Sequence, residues 1–382
     1  MKWLIIIGAV VLVAIGFIFF QLPQPIIELK PEPIFTIGGV EVLNTWFTAW
    51  VMIAVIGLVT FLGTRKLAIV PRGFQNLFET VVEGFFNLSS SVAGEKNARR
   101  FFPVVFILFL YILLCNWAAL TPLFNVIGTT DDVYHHVEHE AHEHPDEPYA
   151  NADIRGWIMT KQSWATVVPL FEDVDYIQVE VPEGTTNAQA FDLLNHELAA
   201  SLGRPAEGEE GHGPLLEDET YGFIAPWLRG VNTDLNAPLS FAVWSAFFVE
   251  FWGITALGLF AYGSKFFNFK RLFQGDIVNG IIDIFVGFLE LISELSRLIS
   301  FTFRLFGNIF AGEVLLFMMS FLVPFLLINV FYGLELFVGL IQAFVFAMLT
   351  LVFAVMAVTG HGDHEEHHAD HPSGGEHGGA HA

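Results

Sequence analysis

The sequence predicts an all-α polytopic membrane protein with about five to six membrane helices, the last two long and tilted, carrying an acidic extracytoplasmic insertion. Three observations predict it. Of 382 residues, 54% are hydrophobic, 41 are Phe and only 15% are charged, with a mean hydropathy of +0.56, which lies well outside soluble composition. Apolar runs of the ~20 residues that a helix needs to cross a bilayer occur at 3–20, 45–63, 101–124 and 237–263. Two further stretches, 277–323 and 326–358, are too long for one ordinary crossing each and suggest tilted helices joined near Pro324. The formal charge of −23 is concentrated: residues 129–221 hold 21 Asp/Glu against Arg155, Lys161 and Arg204, and 361–382 hold five acids and no base. The rest of the chain is neutral, and neither acidic segment could sit on phosphates, so a nucleic-acid surface is excluded.

Taken in order, residues 1–24 form an N-terminal hydrophobic helix or a signal-like segment. No small-x-small cleavage site follows in Gln21-Leu22-Pro23-Gln24-Pro25, which favours retention. Residues 25–124 carry the first membrane helices. Between the runs, Phe74, Leu77, Phe78, Val81, Val82, Phe85 and Phe86 recur at helical spacing, with Gln75, Glu79 and Glu83 among them. That pattern predicts an amphipathic helix over 71–92 on the cytoplasmic interface. Arg65, Lys66, Arg72, Lys96, Arg99 and Arg100 in one loop, and Lys265, Lys270 and Arg271 in another, place both loops in the cytoplasm. The insertion, 125–235, then lies outside. Within it, Tyr176–Val181 and Ala188–Ala200 are short patterned runs that predict a small subdomain. Residues 236–359 are the core helices, and 360–382 are a disordered His-rich tail on the cytoplasmic side. The tract His135–His144 and this tail read as solvated low-complexity segments, because nothing in them fixes a four-ligand metal geometry. No metal site or cofactor is expected, and the single Cys115, inside an apolar run, excludes a disulfide framework.

Ionisable residues inside spans mark function, since each costs about 2.5–3.5 kcal/mol at the bilayer centre on insertion scales. The stretch 277–323 contains Asp283, Glu290, Glu294, Arg297, Arg304 and Glu313. At 100° per residue, Glu290, Ser293, Arg297, Ser300, Arg304 and Asn308 form one polar stripe. Glu313 falls on the opposite face from Arg304, so the two are not an intrahelical ion pair. In the final helix Glu335 and Gln342 are seven residues apart and share a face.

The segment Arg304-Leu-Phe-Gly-Asn308-Ile-Phe-Ala-Gly-Glu313, followed by Glu335-Leu-Phe-Val-Gly-Leu-Ile-Gln342, resembles subunit a of the F-type ATP synthase. The resemblance extends to Gly73-Phe-Gln-Asn-Leu-Phe-Glu79, to Phe102-Pro103 opening a span with Asn116, and to Asn232-Thr-Asp234-Leu-Asn236. It implies a stator subunit in a bacterial cell membrane, not an enzyme on its own, whose two tilted helices face a ring of c subunits. The implied partners are the c-ring, b-type peripheral stalk subunits, the remaining complex and lipid. The family's arginine maps to Arg304, separating two proton half-channels. Asn308, Glu313, Glu335 and Gln342 would line the outer one, and Glu290 with Ser300 the cytoplasmic one. An alternative packs Gln342 beside Arg304 as its orienting partner. The chain departs from the family by having Glu at both the 313 and 335 positions, where a His is often present, and by its long insertion.

Physical chemistry supports the arginine's role without the resemblance. A guanidinium has a pKa above ~12 and no acceptor, so it relays no protons, yet its charge favours ionisation of an approaching carboxylate. A His-dependent metal carrier or a bis-His haem protein is excluded, because all 14 His lie outside the spans. A plain membrane anchor leaves the polar stripe unexplained.

Overall fold

The computed structural model describes residues 30–65, 73–121, 123–160, 166–167, 176–206, 213–216, 218–264, 266, 277–322 and 327–359. The segment 1–24, the turn at Pro324 and the tail 360–382, all assigned from sequence, lie outside them. Four described helices are long and apolar enough to cross a membrane: α1 (Asn44–Thr64), α2 (Phe74–Ala119), a later helix at Asn236–Leu257, and the last helix from Ile328 to Val358. The helix Ile277–Leu322 has 46 residues and bears the six ionisable side chains noted above. The chain divides into two compact units, the first drawn from Met1–Lys66, Leu110–Pro238 and Phe303–Ala343, the second from the remainder.

In the first unit a hairpin of β1 (Pro33–Ile37) and β2 (Val40–Leu43) leads directly into α1. The acidic insertion adds to the helical bundle a sheet of its own. Its strands β3 (Ile127–Asp132), β4 (Asp153–Thr160), β5 (Thr166–Val167), β6 (Tyr176–Glu180) and β7 (Glu219–Pro226) form an antiparallel sheet in the order β5-β3-β7-β4-β6. Two helices, α3 (Val133–Glu143) and α4 (Asn187–Leu202), supply the other half of its core. Tyr134 and Val137 of α3 and Ala190, Leu194 and Leu198 of α4 pack with Ile154, Ile177, Val179 and Tyr221 of the strands. Both patterned runs noted in the sequence take their places here. β6 alternates, with Ile177 and Val179 inward and Gln178 and Glu180 outward, as a half-buried strand must. Helix α4 opens on a capping box between Thr186 and Gln189 and closes on Gly203 at φ 63°.

The His-rich tract corrects the sequence reading. Residues 133–143 form a helix rather than a low-complexity segment, N-capped by Asp132, whose carboxylate accepts from the His135 backbone N–H at 3.1 Å. The apolar positions Tyr134, Val137 and Ala141 recur at i, i+3 and i+7 and are buried, and the His and acidic residues fill the solvated face. Three buried apolar residues in eleven, with Val133 partly buried beside them, suffice because the partner surface, α4 and the sheet, is supplied from elsewhere in the chain.

Arg204, just past α4, forms a two-pronged ion pair with Glu219 at the start of β7, and Glu219 also accepts from the Leu216 N–H at 3.1 Å. The guanidinium, then the backbone N–H, hold the Glu219 carboxyl below its usual range. A depressed carboxyl stabilises the fold above its unfolded pKa of ~4.3 and loses that contribution as pH falls through the lower folded value. Acidification should therefore loosen the α4–β7 junction, read as faster hydrogen exchange over 198–206 and 218–224 after correction for intrinsic rates. Glu219→Gln should show weakened protection already at neutral pH and little further change with acid. Identical behaviour of variant and wild type would remove the pair from the domain's stability.

In the second unit the amphipathic helix expected over 71–92 forms as the first limb of α2. At Gly94 the backbone takes φ 73°, a conformation open to glycine, and the chain doubles back. The aromatic face of the first limb then stacks on its own span: Phe85 lies 4.7 Å from Phe109 and Phe86 lies 5.2 Å from Phe102, centroid to centroid. The run 237–263 is likewise broken. α5 (Asn236–Leu257) ends at Gly258, φ 88°, before the one-turn α6 (Leu259–Gly263). The long helices are α7 (Ile277–Leu322) and α8 (Leu327–Val358). In this unit Ser245 and Thr350 share a buried hydrogen bond of 2.7 Å, and Phe101 packs on Trp252 at 4.6 Å.

Candidate functional site

In the first unit α7 presents Arg304, Asn308, Ala311 and Met318 outward, at i, i+4, i+7 and i+14, while Leu305, Ile309, Gly312 and Leu316 face inward. Behind this stripe lies α8. Asn308 Nδ2 donates to Gln342 Oε1 at 2.9 Å, and Gln342 is 4% exposed, with its Nε2 lacking a protein partner among the described residues. Glu335, about two turns earlier on the same face of that helix, is buried, and its carboxylate lies over Gly312, where a Cβ would collide with it. The glycine at 312 is thus the space that the Glu335 side chain occupies.

Glu313 is turned away from Arg304 and toward the root of the inserted domain. Asn125 Nδ2 donates to Glu313 Oε1 at 2.7 Å, and the Thr233 hydroxyl and the Arg229 guanidinium face the same carboxylate. Arg229 is itself buried, its Nη1 donating to the Lys30 carbonyl at 2.9 Å and its backbone N–H to Thr48 Oγ1 at 3.1 Å. Below it a polar chain crosses the bundle. Asn232 Nδ2 donates to Asn116 Oδ1 at 2.7 Å, and Asn116 Nδ2 donates to the Gly339 carbonyl at 3.2 Å. Asp234 accepts from Thr45 Oγ1 at 2.9 Å and caps Asn236 at 3.1 Å. Most buried polar groups are paired, and these bonds fix how the α2 end, the 228–236 segment and α8 meet within this unit.

The structure thus brings Asn308 to Gln342 and Glu335 to the turn beside Glu313. Glu290, half-buried, and Ser300, exposed, belong to the second unit. There Arg297 is engaged by Glu294 at 2.7 Å and lies 3.9 Å from the centre of the Phe353 ring, which accounts for one of the two stripe arginines as a local partner. Sequence reasoning passed over Asn125 and Arg229. The only signal for either was a position at the boundary between span and insertion, since their common target is 84 residues or more away along the chain.

The family model described as ATP synthase A chain matches residues 46–139 and 202–355. The chain belongs to that family. Among curated relatives, the ATP synthase subunit a of Moorella thermoacetica is 24% identical over 334 residues, covering 87% of this chain and 99% of the relative. The ATP synthase subunit a of Gloeobacter violaceus is 38% identical over 88 residues, 23% of this chain and 34% of the relative. As a member of the ATP synthase A chain family, the chain carries Asn116, Asn125, Arg229, Arg304, Asn308, Glu313, Glu335 and Gln342 inside the matched segments. The unmatched interval 140–201 holds β4, β5, β6 and α4, most of the sheet domain.

Proposed function

We propose that this chain is the stator subunit of a rotary ATP synthase membrane sector, passing protons to a ring of c subunits through two half-channels separated by Arg304. Asn308, Glu313, Glu335 and Gln342 line the outer half-channel, and Glu290 and Ser300 the cytoplasmic one. The ring packs on the outward stripe of α7, b-type subunits hold the chain against rotation, and the remaining complex makes ATP. The observation that carries this reading is Arg304 exposed on that stripe beside Asn308. A guanidinium on that stripe offers a ring carboxylate a fixed positive charge that favours its ionised form, and that carboxylate is the proton carrier. Each proton moved through 100 mV releases about 2.3 kcal/mol, so several must be coupled to each ATP.

The test is proton conduction by the assembled complex in inverted vesicles. Glu313→Gln keeps the shape and the Asn125 contact but carries no exchangeable acid proton, so conduction should fall by roughly 10²-fold, the scale of a positioned proton-transfer group. Wild-type conduction in this variant would sink the assignment of the outer path.

In the same reading 125–235 is extracytoplasmic, and 64–100 and the tail 360–382 are cytoplasmic in a bacterial multi-pass membrane protein. Ser201 and Lys96 are both exposed. Cysteines placed there singly, in a Cys115→Ser background, should react with an impermeant maleimide from opposite sides of the membrane. Labelling of both from one side overturns this topology.

A further inference from the structure

We propose that Asn125 is a positioning residue for the Glu313 carboxylate, so that the root of the inserted domain sets the geometry of the outer proton path. This rests on the reading of Glu313 as a proton-path residue. Asn125 lies between the end of α2 and the start of β3, and it is the one non-glycine residue with positive φ, 59°, among the described residues. Left-handed backbone disfavours most side chains, but Asn tolerates it. The conformation is pinned, because the Asn125 N–H donates to the Leu228 carbonyl at 2.9 Å and the Trp227 N–H donates to the Ile127 carbonyl at 3.0 Å. Thus the outgoing and returning chains of the inserted domain are tied together at its base. From that fixed point Nδ2 reaches Glu313 Oε1 at 2.7 Å, the length of a charge-assisted hydrogen bond.

The returning chain brings further groups to the same carboxylate. Arg229, held by the Lys30 carbonyl and Thr48, and Thr233 both face Glu313. From α8 the Glu335 carboxylate lies over Gly312, one residue before Glu313. Asn125 and Thr233 are the uncharged members of this set; the Thr233 hydroxyl also donates to the Gly230 carbonyl at 2.7 Å, whereas the Asn125 amide donates to the carboxylate itself. It fixes the orientation of the carboxylate and leaves the charge balance to Arg229. A Gly at 125 would keep the backbone and lose the donor, whereas an Asp would add a third carboxyl group and donate only when protonated.

The experiment measures ATP-driven and passive proton flux per assembled complex in vesicles, as a function of pH, for wild type, Asn125→Gly, Asn125→Asp and Glu313→Gln. Asn125→Gly should lower flux about tenfold, the typical worth of one hydrogen bond to a charged group, with wild-type assembly. Asn125→Asp should approach wild-type flux at acid pH and fall progressively as the new carboxyl ionises. Wild-type flux and pH profile in Asn125→Gly, or a loss that only tracks the amount of complex, overturns the positioning role. Should Asn125→Gly fail to assemble, Asn125→Asp decides, and a constant ratio to wild type across pH counts against the proposal. Impaired Glu313→Gln beside silent Asn125 variants defeats the positioning role alone. Silent Glu313→Gln defeats the underlying proton-path reading.

Discussion

Replacing Arg304 with alanine is expected to abolish both ATP-driven acidification of inverted vesicles and proton-driven ATP synthesis while leaving the complex assembled. Assembly should survive because the residue sits on the outward stripe of α7, where shortening the side chain opens no cavity in the bundle; the neighbours that fill the interior, Leu305 and Ile309, are untouched. Function should not survive, for two separate reasons. The fixed charge that draws a ring carboxylate into its ionised form is gone, and the barrier against direct proton passage between the two half-paths goes with it. Passive proton leak through the membrane sector should therefore rise as coupled pumping disappears. Arg304→Lys keeps a charge but not its permanence, since an ammonium sheds its proton when desolvated and a guanidinium does not. Synthesis should remain far below wild type in that variant. Coupled pumping at the wild-type rate in the alanine variant would end the assignment of Arg304 as the separator.

The second large effect is expected at Glu335 and the glycine that makes room for it. Glu335→Gln preserves volume and removes the acid proton, so conduction should drop by about 10²-fold if the group carries protons. Gly312→Ala reaches the same end by geometry. The new methyl would take the place of the Glu335 carboxylate, which is the mobile end of a side chain rather than backbone, so the carboxylate swings away and the helices stay packed. Conduction should fall with little loss of assembled complex. Because both changes act on one group, the double variant should be no worse than the weaker single, the mark of two sites in one unit. If each single variant conducts as wild type does across pH, Glu335 is a packing residue and the outer path runs through Glu313 without it.

Much of the membrane part was legible in the sequence. The runs 45–63, 277–323 and 326–358 differ from helices Asn44–Thr64, Ile277–Leu322 and Leu327–Val358 by a residue or so at each end. A span is a local property, set by how many consecutive residues tolerate hydrocarbon, and no distant partner is needed to see it. The polar stripe was legible for the same reason, since helical periodicity is short-range. Interruptions were harder to read. Gly258 sits in a run, 237–263, whose composition reads straight through, and only the backbone angle shows that the chain turns there.

The insertion and the site mark where local reading stops. From Tyr176–Val181 and Ala188–Ala200 the sequence predicted patterned runs, but the order β5-β3-β7-β4-β6 pairs strands distant in the chain, such as β3 with β7, whose partners run from Asp132 with Gly222 to Gly128 with Pro226. Such pairings depend on side chains meeting across space, and a His-rich stretch becomes a helix only because a core face waits for Tyr134, Val137 and Ala141. By itself, the sequence determined the family likeness, the apolar spans, the acidic insertion and Arg304, Asn308, Glu313, Glu335 and Gln342 as candidates, because each is read from composition, spacing or motif. Only the tertiary structure decided what those side chains touch. It set Glu335 over Gly312, bonded Gln342 to Asn308, and gave Glu313 the neighbours Asn125, Thr233 and Arg229. The physical reason is that a buried polar group must find its partner wherever packing places one, and packing is a property of the whole chain.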